Sequence, residues 1–381
     1  MIYFDNSATT KIAPSVLATY QQVSEKYWGN PSSLHHLGDE AQQMLASARR
    51  QIASLLHFDS KEIYFTSGGS EGDNWVIKGT AMEKQEFGRH IITTSVEHAA
   101  VTNSLHQLEK LGFKVTYLPV DKQGRINPAD LQAAVRNDTI LVSVMAVNNE
   151  VGTIQPIHAI ARILDYYPKI HFHVDAVQAL GKNLWSQIYD PRIDFMTFSA
   201  HKFHGPRGIG FIYAKSGRKI APLIAGGGQE HNWRSGTENT PAIAAMARAL
   251  RLALTDESRH AQLQNQLREQ LITHLKTLDN VQIFSGLTTD FAPHIVCFAL
   301  KGARGETTVH AFEKQEIYLS TTSACSSRTG DESVTLKAMH VPDQVATSAV
   351  RVSLDEQNTP AEMTTFIQVL DQIHQHYQVL N

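Results

Sequence analysis

The hydrophobic and polar positions of the chain follow two periods. Over 38–56, Ala41, Met44, Leu45, Ala48, Ile52, Leu55 and Leu56 recur at helical spacing. Elsewhere, short continuous apolar runs predict buried strands at 62–65, 90–94, 114–118, 140–146 and 171–175. Helices are predicted between them at 73–82, 99–111, 128–135 and 156–166. This alternation predicts an α/β fold, a mostly parallel sheet flanked by helices. Two further apolar runs, 193–198 and 209–213, enclose a tight turn. A helix rich in Ala and Leu follows over 241–254, then a charged amphipathic helix over 255–280. Strands at 281–284, 294–300, 317–319 and 349–352 predict a smaller α+β part. We place a large domain at 14–255 and a small domain at 1–13 with 256–381.

In such a sheet, ligands sit beyond the carboxyl ends of the strands. Ser70, His98, Asn149, Asp175 and Gln178 all fall at those ends, which argues for one shared site. Lys202 lies at the turn between the two buried runs, in Ser199-Ala200-His201-Lys202. Burial disfavours the charged form of a lysine, and a neutral amine is what an aldehyde cofactor needs to form a Schiff base. A surface lysine in a hairpin loop is the plainer alternative. Asp175 precedes Lys202 by 27 residues. A carboxylate at a buried strand end needs a partner, and a pyridinium N–H is one that keeps the ring an electron sink. An aspartate on a ring nitrogen followed by a Schiff-base lysine is the pairing expected for pyridoxal phosphate, although Asp175 would also serve as a helix cap.

The run Thr66-Ser67-Gly68-Gly69-Ser70-Glu71-Gly72 joins a strand to a helix and suits a phosphate as well as it suits an ordinary N-cap. It matches neither the P-loop nor the dinucleotide fingerprint. His98 is placed to lie over a ring and move protons near neutral pH. His171 and His173 share one strand face, but without further ligands at matching spacing they read as core residues rather than a metal site. The loop 226–239, with Arg234 and Thr237, has an anion-binding composition. Arg351 interrupts an apolar strand, so it either holds a substrate carboxylate in its fork or forms a structural ion pair.

Composition narrows the classes. The 381 residues are 42% hydrophobic and 19% charged with formal net charge −3, so no basic field argues for nucleic acid. No apolar run is long enough to span a bilayer, and the first residues lack the pattern of a signal peptide. Two cysteines exclude a disulfide scaffold and fit a reducing cytoplasm. Cys297 sits among Ile, Val and Phe and reads as a core residue. Cys325 sits among small polar residues, with Arg328 close by, in a loop expected to be mobile and suited to a travelling nucleophile.

With these residues in view, the chain resembles the cysteine desulfurases of the pyridoxal-phosphate (PLP) fold type I, class V aminotransferase group. The likeness runs from Tyr3 to the strand bearing Arg351. It is carried by Gly29-Asn30-Pro31-Ser32, Thr66-Ser67-Gly68-Gly69-Ser70-Glu71, Val96-Glu97-His98, Val147-Asn148-Asn149-Glu150-Val151-Gly152, His173-Val174-Asp175-Ala176-Val177-Gln178, Ser199-Ala200-His201-Lys202, Arg234-Ser235-Gly236-Thr237 and Ser323-Ala324-Cys325. The resemblance implies a seven-stranded sheet in the large domain and pyridoxal 5′-phosphate as cofactor. Lys202 would bond the cofactor and move the substrate α-proton, Asp175 would pair with the ring nitrogen, Gln178 with the ring hydroxyl, and His98 would stack on the ring. Gly69, Ser70, Ser199 and His201 would hold the phosphate, joined by Thr237 from the second subunit of a homodimer. Asn149 and Arg351 would hold the carboxylate of L-cysteine, and Cys325 would take the sulfur as a persulfide while L-alanine leaves. A sulfur-acceptor protein would follow, an iron–sulfur scaffold or a tRNA-thiolation enzyme, in the cytoplasm and with no nucleic acid or membrane contacted directly. Two departures stand out: Ser70 replaces a common Thr, and Ser326-Ser327-Arg328-Thr329 resembles the variant loop of desulfurases with dedicated acceptors. The alternatives are a selenocysteine lyase, an aminotransferase, or a non-catalytic relay protein on the same fold.

Overall fold

The computed structural model describes residues 1–322 and 333–380. Its centre is a seven-stranded sheet in the order Ile63–Thr66, Gly210–Ala214, Phe195–Ser199, His171–Asp175, Thr139–Met145, His90–Thr94 and Lys114–Leu118. Gly210–Ala214 runs antiparallel to both neighbours, and the other adjacent pairs are parallel. This is the mostly parallel sheet expected from the sequence. Strands such as Phe195–Ser199 and Thr139–Met145 are buried along their whole length, because helices cover both faces and no position is free to be polar by alternation. His36–Leu56 presents Leu45, Ala48 and Ile52 to the same core that holds Ala245, Ala249 and Leu250 of Thr240–Leu254.

One helix differs from expectation in a way that matters for the site. It spans Gly69–Lys84, not 73–82. Its first turn contains Gly69 and Gly72, whose poor helix propensity hid the true start.

A second, antiparallel sheet is built from Ser320–Thr321, Ala349–Ser353, Ile295–Leu300 and Val281–Ile283. It has its own core, with Phe298, Val350, Phe312, Phe366 and Leu370. The amino-terminal arm belongs to this layer: Ile2–Tyr3 pairs with Ile317–Tyr318, and Phe4 is fully buried in that core. Gly305–Glu313 and Pro360–Leu380 are helices that the sequence reading did not contain. The second was legible, since Met363, Phe366, Leu370 and Ile373 mark one helical face after a proline at the first position.

Candidate active site

All parallel strands of the large sheet end on one edge, and five of the loops leaving it converge there. Phe195–Ser199 passes into a short 3-10 turn, Ala200–Lys202, which carries Lys202. The Lys202 Nζ donates to the backbone carbonyls of Ser7 and Ala8, the latter at 3.0 Å. Gln178 donates its side-chain amide to the same Ser7 carbonyl at 2.9 Å, so one carbonyl of the amino-terminal arm ties two candidate residues together. The arm is fixed over the turn by Thr10, whose N–H and hydroxyl both reach the His201 carbonyl at 2.9 Å. His201 Nδ1 lies 3.2 Å from the Thr9 hydroxyl, and burial, with Lys202 and Arg207 nearby, pushes its imidazole down to about 4. It is neutral at physiological pH. The sequence showed 5–10 only as a turn-rich stretch; its role as the cover over Lys202 was missed because main-chain carbonyls carry no residue signature.

Asp175 is 6% exposed at the end of its strand, with Oδ1 accepting the Val177 N–H at 3.0 Å. Burial raises its carboxyl, while His98, the Val177 N–H and Lys202 oppose that rise. Two buried carboxyls stand behind it and were also missed. Glu97 accepts from the Thr94 hydroxyl at 2.6 Å and the Met145 N–H at 3.0 Å, yet burial pushes it up to about 8. Asp73 is raised well above the usual carboxylate range by burial and by Asp175 itself. Three carboxylates this close do not ionise together. Asp175, with His98 and Lys202 within electrostatic reach, is the one favoured as the anion.

His98 is the N-cap of Ala99–Lys110, its Nδ1 accepting the Ala100 N–H at 3.1 Å. The neutral ring therefore carries its proton on Nε2. Capping fixes the ring without excluding a role at the Asp175 end of the sheet.

The Gly69–Lys84 helix opens toward the same edge. Its N-cap, Gly68, has φ 151°, and no side chain caps it. A Cβ on Gly69 would stand 2.7 Å from Val177 Cγ2, so only glycine lets the loop close down on the Asp175–Gln178 turn. Ser199, buried, adds a hydroxyl 3.6 Å from where a Gly68 Cβ would be, and Ser70 is exposed in the first turn. An uncapped 16-residue helix with outward N–H groups, glycine-lined and flanked by two hydroxyls, fits a phosphate. With Asp175 and Lys202 beside it, the residues present fit pyridoxal phosphate. Arg234 is not open to an anion as its loop composition suggested: it forms a bidentate pair with Glu71, at 2.8 and 3.1 Å. That pair fastens the loop bearing the exposed Thr237 to the first turn of the same helix.

Arg351 is 3% exposed. Its Nη1 donates to the Asn149 carbonyl at 2.9 Å and its Nη2 to Asp5 Oδ1 at 3.0 Å. The structural ion pair is thus present, made with an aspartate of the arm, and Asn149 is brought to Arg351 through its backbone. Glu150, next in sequence, lies within electrostatic reach of both Arg351 and His98 and accepts from Ser333 and from Thr335, the latter at 3.0 Å. Cys325 lies outside the described residues. Cys297 is fully buried, its thiol pushed well up by burial, in keeping with a core role. His171 and His173 are core residues too: His173 sits between the Ser143 and Thr197 hydroxyls at 2.9 Å each, and His171 meets Thr80 at 3.2 Å. Among the described residues no group of three His, Cys, Asp or Glu could hold a metal ion. A cavity of about 590 Å³ lies elsewhere, between Arg49, Arg50 and the Gly227–Asn232 loop, and none of the Lys202 group lines it.

The aminotransferase class-V family model matches residues 2–366. The chain belongs to the class-V aminotransferase family. Its similar relatives within that family include named cysteine desulfurases. It is 60% identical over 381 residues to a NifS/IcsS protein homolog of Lactobacillus delbrueckii subsp. bulgaricus, covering 100% of this chain and 99% of the other. It is 39% identical over 372 residues to the cysteine desulfurase IscS of Dictyoglomus turgidum, covering 98% and 94%. A solved NifS-like protein superposes with TM-score 0.91 at 38% identity over 98% of each chain. SspA in complex with cysteine superposes with TM-score 0.81 at 30% identity, covering 94% of this chain and 100% of that one. The fold of this class-V chain is therefore the α/β type I fold of PLP-dependent enzymes, and its group is the cysteine desulfurases. No helix among the described residues is long and apolar enough to cross a membrane.

Proposed function

We propose that this class-V enzyme binds pyridoxal 5′-phosphate at the edge of the large sheet and moves sulfur from L-cysteine to Cys325. The observation that supports this best is the convergence of Lys202, Asp175, His98 and the Gly68–Gly69 turn on one sheet edge. When bound, the cofactor supplies an electron sink for α-proton removal. The chain supplies the rest. Asp175 holds a proton at the ring nitrogen, and Gln178 and His98 orient the ring. Ser70, Ser199, His201 and the first N–H groups of Gly69–Lys84 hold the phosphate. Lys202 Nζ would hold the cofactor and would carry the α-proton. Arg351 and Asn149 hold the substrate carboxylate, with Asp5 as the group that keeps the guanidinium oriented.

Ser320 is paired directly with Arg351, and Ser333 bonds Glu150. These described residues on either side of 323–332 meet Arg351 and Glu150, which supports a role for Cys325 in this reading. In the sulfur step the Cys325 thiolate attacks the substrate sulfur, the carbon–sulfur bond breaks, and a sulfur–sulfur bond forms. L-cysteine and a thiol become L-alanine and a persulfide, and no external oxidant is needed. The homodimer, the contribution of Thr237 to the partner's site, the acceptor protein and a cytoplasmic location are parts of the same proposal.

The test is Cys325→Ala. The variant should still bind the cofactor, with its visible absorbance intact, and lose release of sulfide from cysteine by at least about 10²-fold, the scale for loss of a covalent nucleophile. Normal turnover in that variant would remove Cys325 from the reaction.

A further inference from the structure

A second cavity, of about 370 Å³, lies between the loop that follows the Asp175 strand and the Glu257–Leu275 helix of the second layer. Lys182, Asn183, Asn265, Arg268, Glu269 and Thr288 are among its polar lining residues. Lys182 is only 6% exposed and Arg268 only 4%. Arg268 Nη1 donates to the carbonyls of Phe291 and Ala292 at 2.9 Å, but its Nε is buried with no hydrogen-bond partner among the described residues. Lys182 forms no hydrogen bond or ion pair among them; the carboxyls within its electrostatic reach, Asp355 and Glu356, face His204 instead. One turn before Arg268, Gln264 is fully buried with both amide atoms unpartnered, and His294, next to the cavity residue Pro293, is 1% exposed with both ring nitrogens unpartnered. Burial also lowers the Arg268 guanidinium from its usual value, as it does when a cation lacks compensation.

Two nine-tenths-buried cations that share a cavity need an anion or a strongly polar occupant, because leaving a buried charge uncompensated is costly. Glu269, which is exposed at the rim, acts on Arg268, and the two carboxyls within reach of Lys182, Asp355 and Glu356, are shared with His204, so no carboxylate within the cavity is dedicated to the pair. We propose that this cavity is a binding site for a small oxyanion, a carboxylate or a phosphate group, held between Lys182 Nζ and the Arg268 guanidinium. Its volume admits a small metabolite and not only an ion. The site is separate from the Lys202 centre and does not depend on the reaction assigned there. Its occupant would tie the loop leaving the Asp175 strand to the helix of the second layer.

The experiment uses the full chain preincubated with pyridoxal phosphate and desalted, so that the helix N-terminus near Lys202 is already filled. Thermal melting is followed against sodium phosphate, sodium malonate and sodium chloride at matched ionic strength. A saturable rise in melting temperature with phosphate or malonate, absent with chloride, is expected, and the stronger of the two names the headgroup. Lys182→Met should abolish the rise. Glu269→Gln, an exposed and structurally mild change, should lower the half-saturating concentration by about three-fold, the scale for removing one partly screened like charge. Equal shifts with all three salts, no shift at all, or a saturable shift unaltered by both variants would each overturn the site.

Discussion

His173, within one strand of the large sheet, and Lys202, in the turn that leaves the neighbouring strand, are held in opposite ways. His173, inside the sheet, has each ring nitrogen 2.9 Å from a neutral hydroxyl, and burial pushes its imidazole down to about 3. It cannot change charge in the working range. Lys202, at the edge, is held by two main-chain carbonyls of an arm that comes from outside the sheet, with Asp175 within electrostatic reach. Both are polar groups beside an apolar layer, but only the second has its partners at the open edge of the sheet, where a ligand is able to replace them. Fixed neutral partners mark structure; exchangeable partners beside an opposite charge mark chemistry.

That contrast is best broken from the Lys202 side. Lys202→Ala should lower desulfurase turnover by at least about 10³-fold and abolish the cofactor's normal visible band. Asp175→Asn removes a charge aimed at the ring and should cost about 10²-fold in turnover, with cofactor still bound. His173→Leu tests the other side. Leaving the Ser143 and Thr197 hydroxyls without their ring partner should destabilise the fold by about 2 kcal/mol in chemical denaturation. It should leave the pH dependence of the cofactor absorbance unchanged; a shift there would show that His173 does titrate with the site.

The smallest effect concerns His204, two residues beyond Lys202. Its Nε2 lies 3.1 Å from a Glu356 carboxylate oxygen, a charge contact rather than an aligned hydrogen bond. Burial opposes the charge on His204, but Glu356 and Asp355 raise it above its usual 6.5. Burial would also raise Glu356, but His204 and Lys182 bring it down from 4.5 to about 2. The His204 contribution is fully present below pH 6.5 and is lost as pH rises through its raised value. The Glu356 contribution is present above pH 4.5 and is lost as pH falls toward 2. Glu356→Gln should therefore be less stable than the parent by about 1 kcal/mol between pH 4.5 and 6.5, with the gap closing on either side. A gap independent of pH would show that the contact is not an ion pair.

Much of this was legible in the sequence where side chains repeat with a period or cluster at strand ends. The strands His90–Thr94, Lys114–Leu118 and His171–Asp175 fall where the apolar runs place them, and His98, Asp175, Ser199 and Lys202 stand together at one edge. The parts not legible depend on main-chain groups or on contacts distant in sequence. Ser7 and Ala8 act through carbonyls from 194 and more residues away. Asp5 meets Arg351 across 346 residues, and Arg234 meets Glu71 across 163. Asp73 and Glu97 look like ordinary helix and loop carboxyls in sequence; only the folded packing brings their charges within reach of Asp175. Glycine concealed the start of Gly69–Lys84, the turn proposed to hold the phosphate.

The most direct test is to incubate the full chain with pyridoxal phosphate, reduce it with borohydride and map the modified peptide by mass spectrometry. The account predicts a single pyridoxyl label, on Lys202, and its disappearance in Lys202→Ala. A label on another lysine, or none while the cofactor's visible band is present, would contradict it.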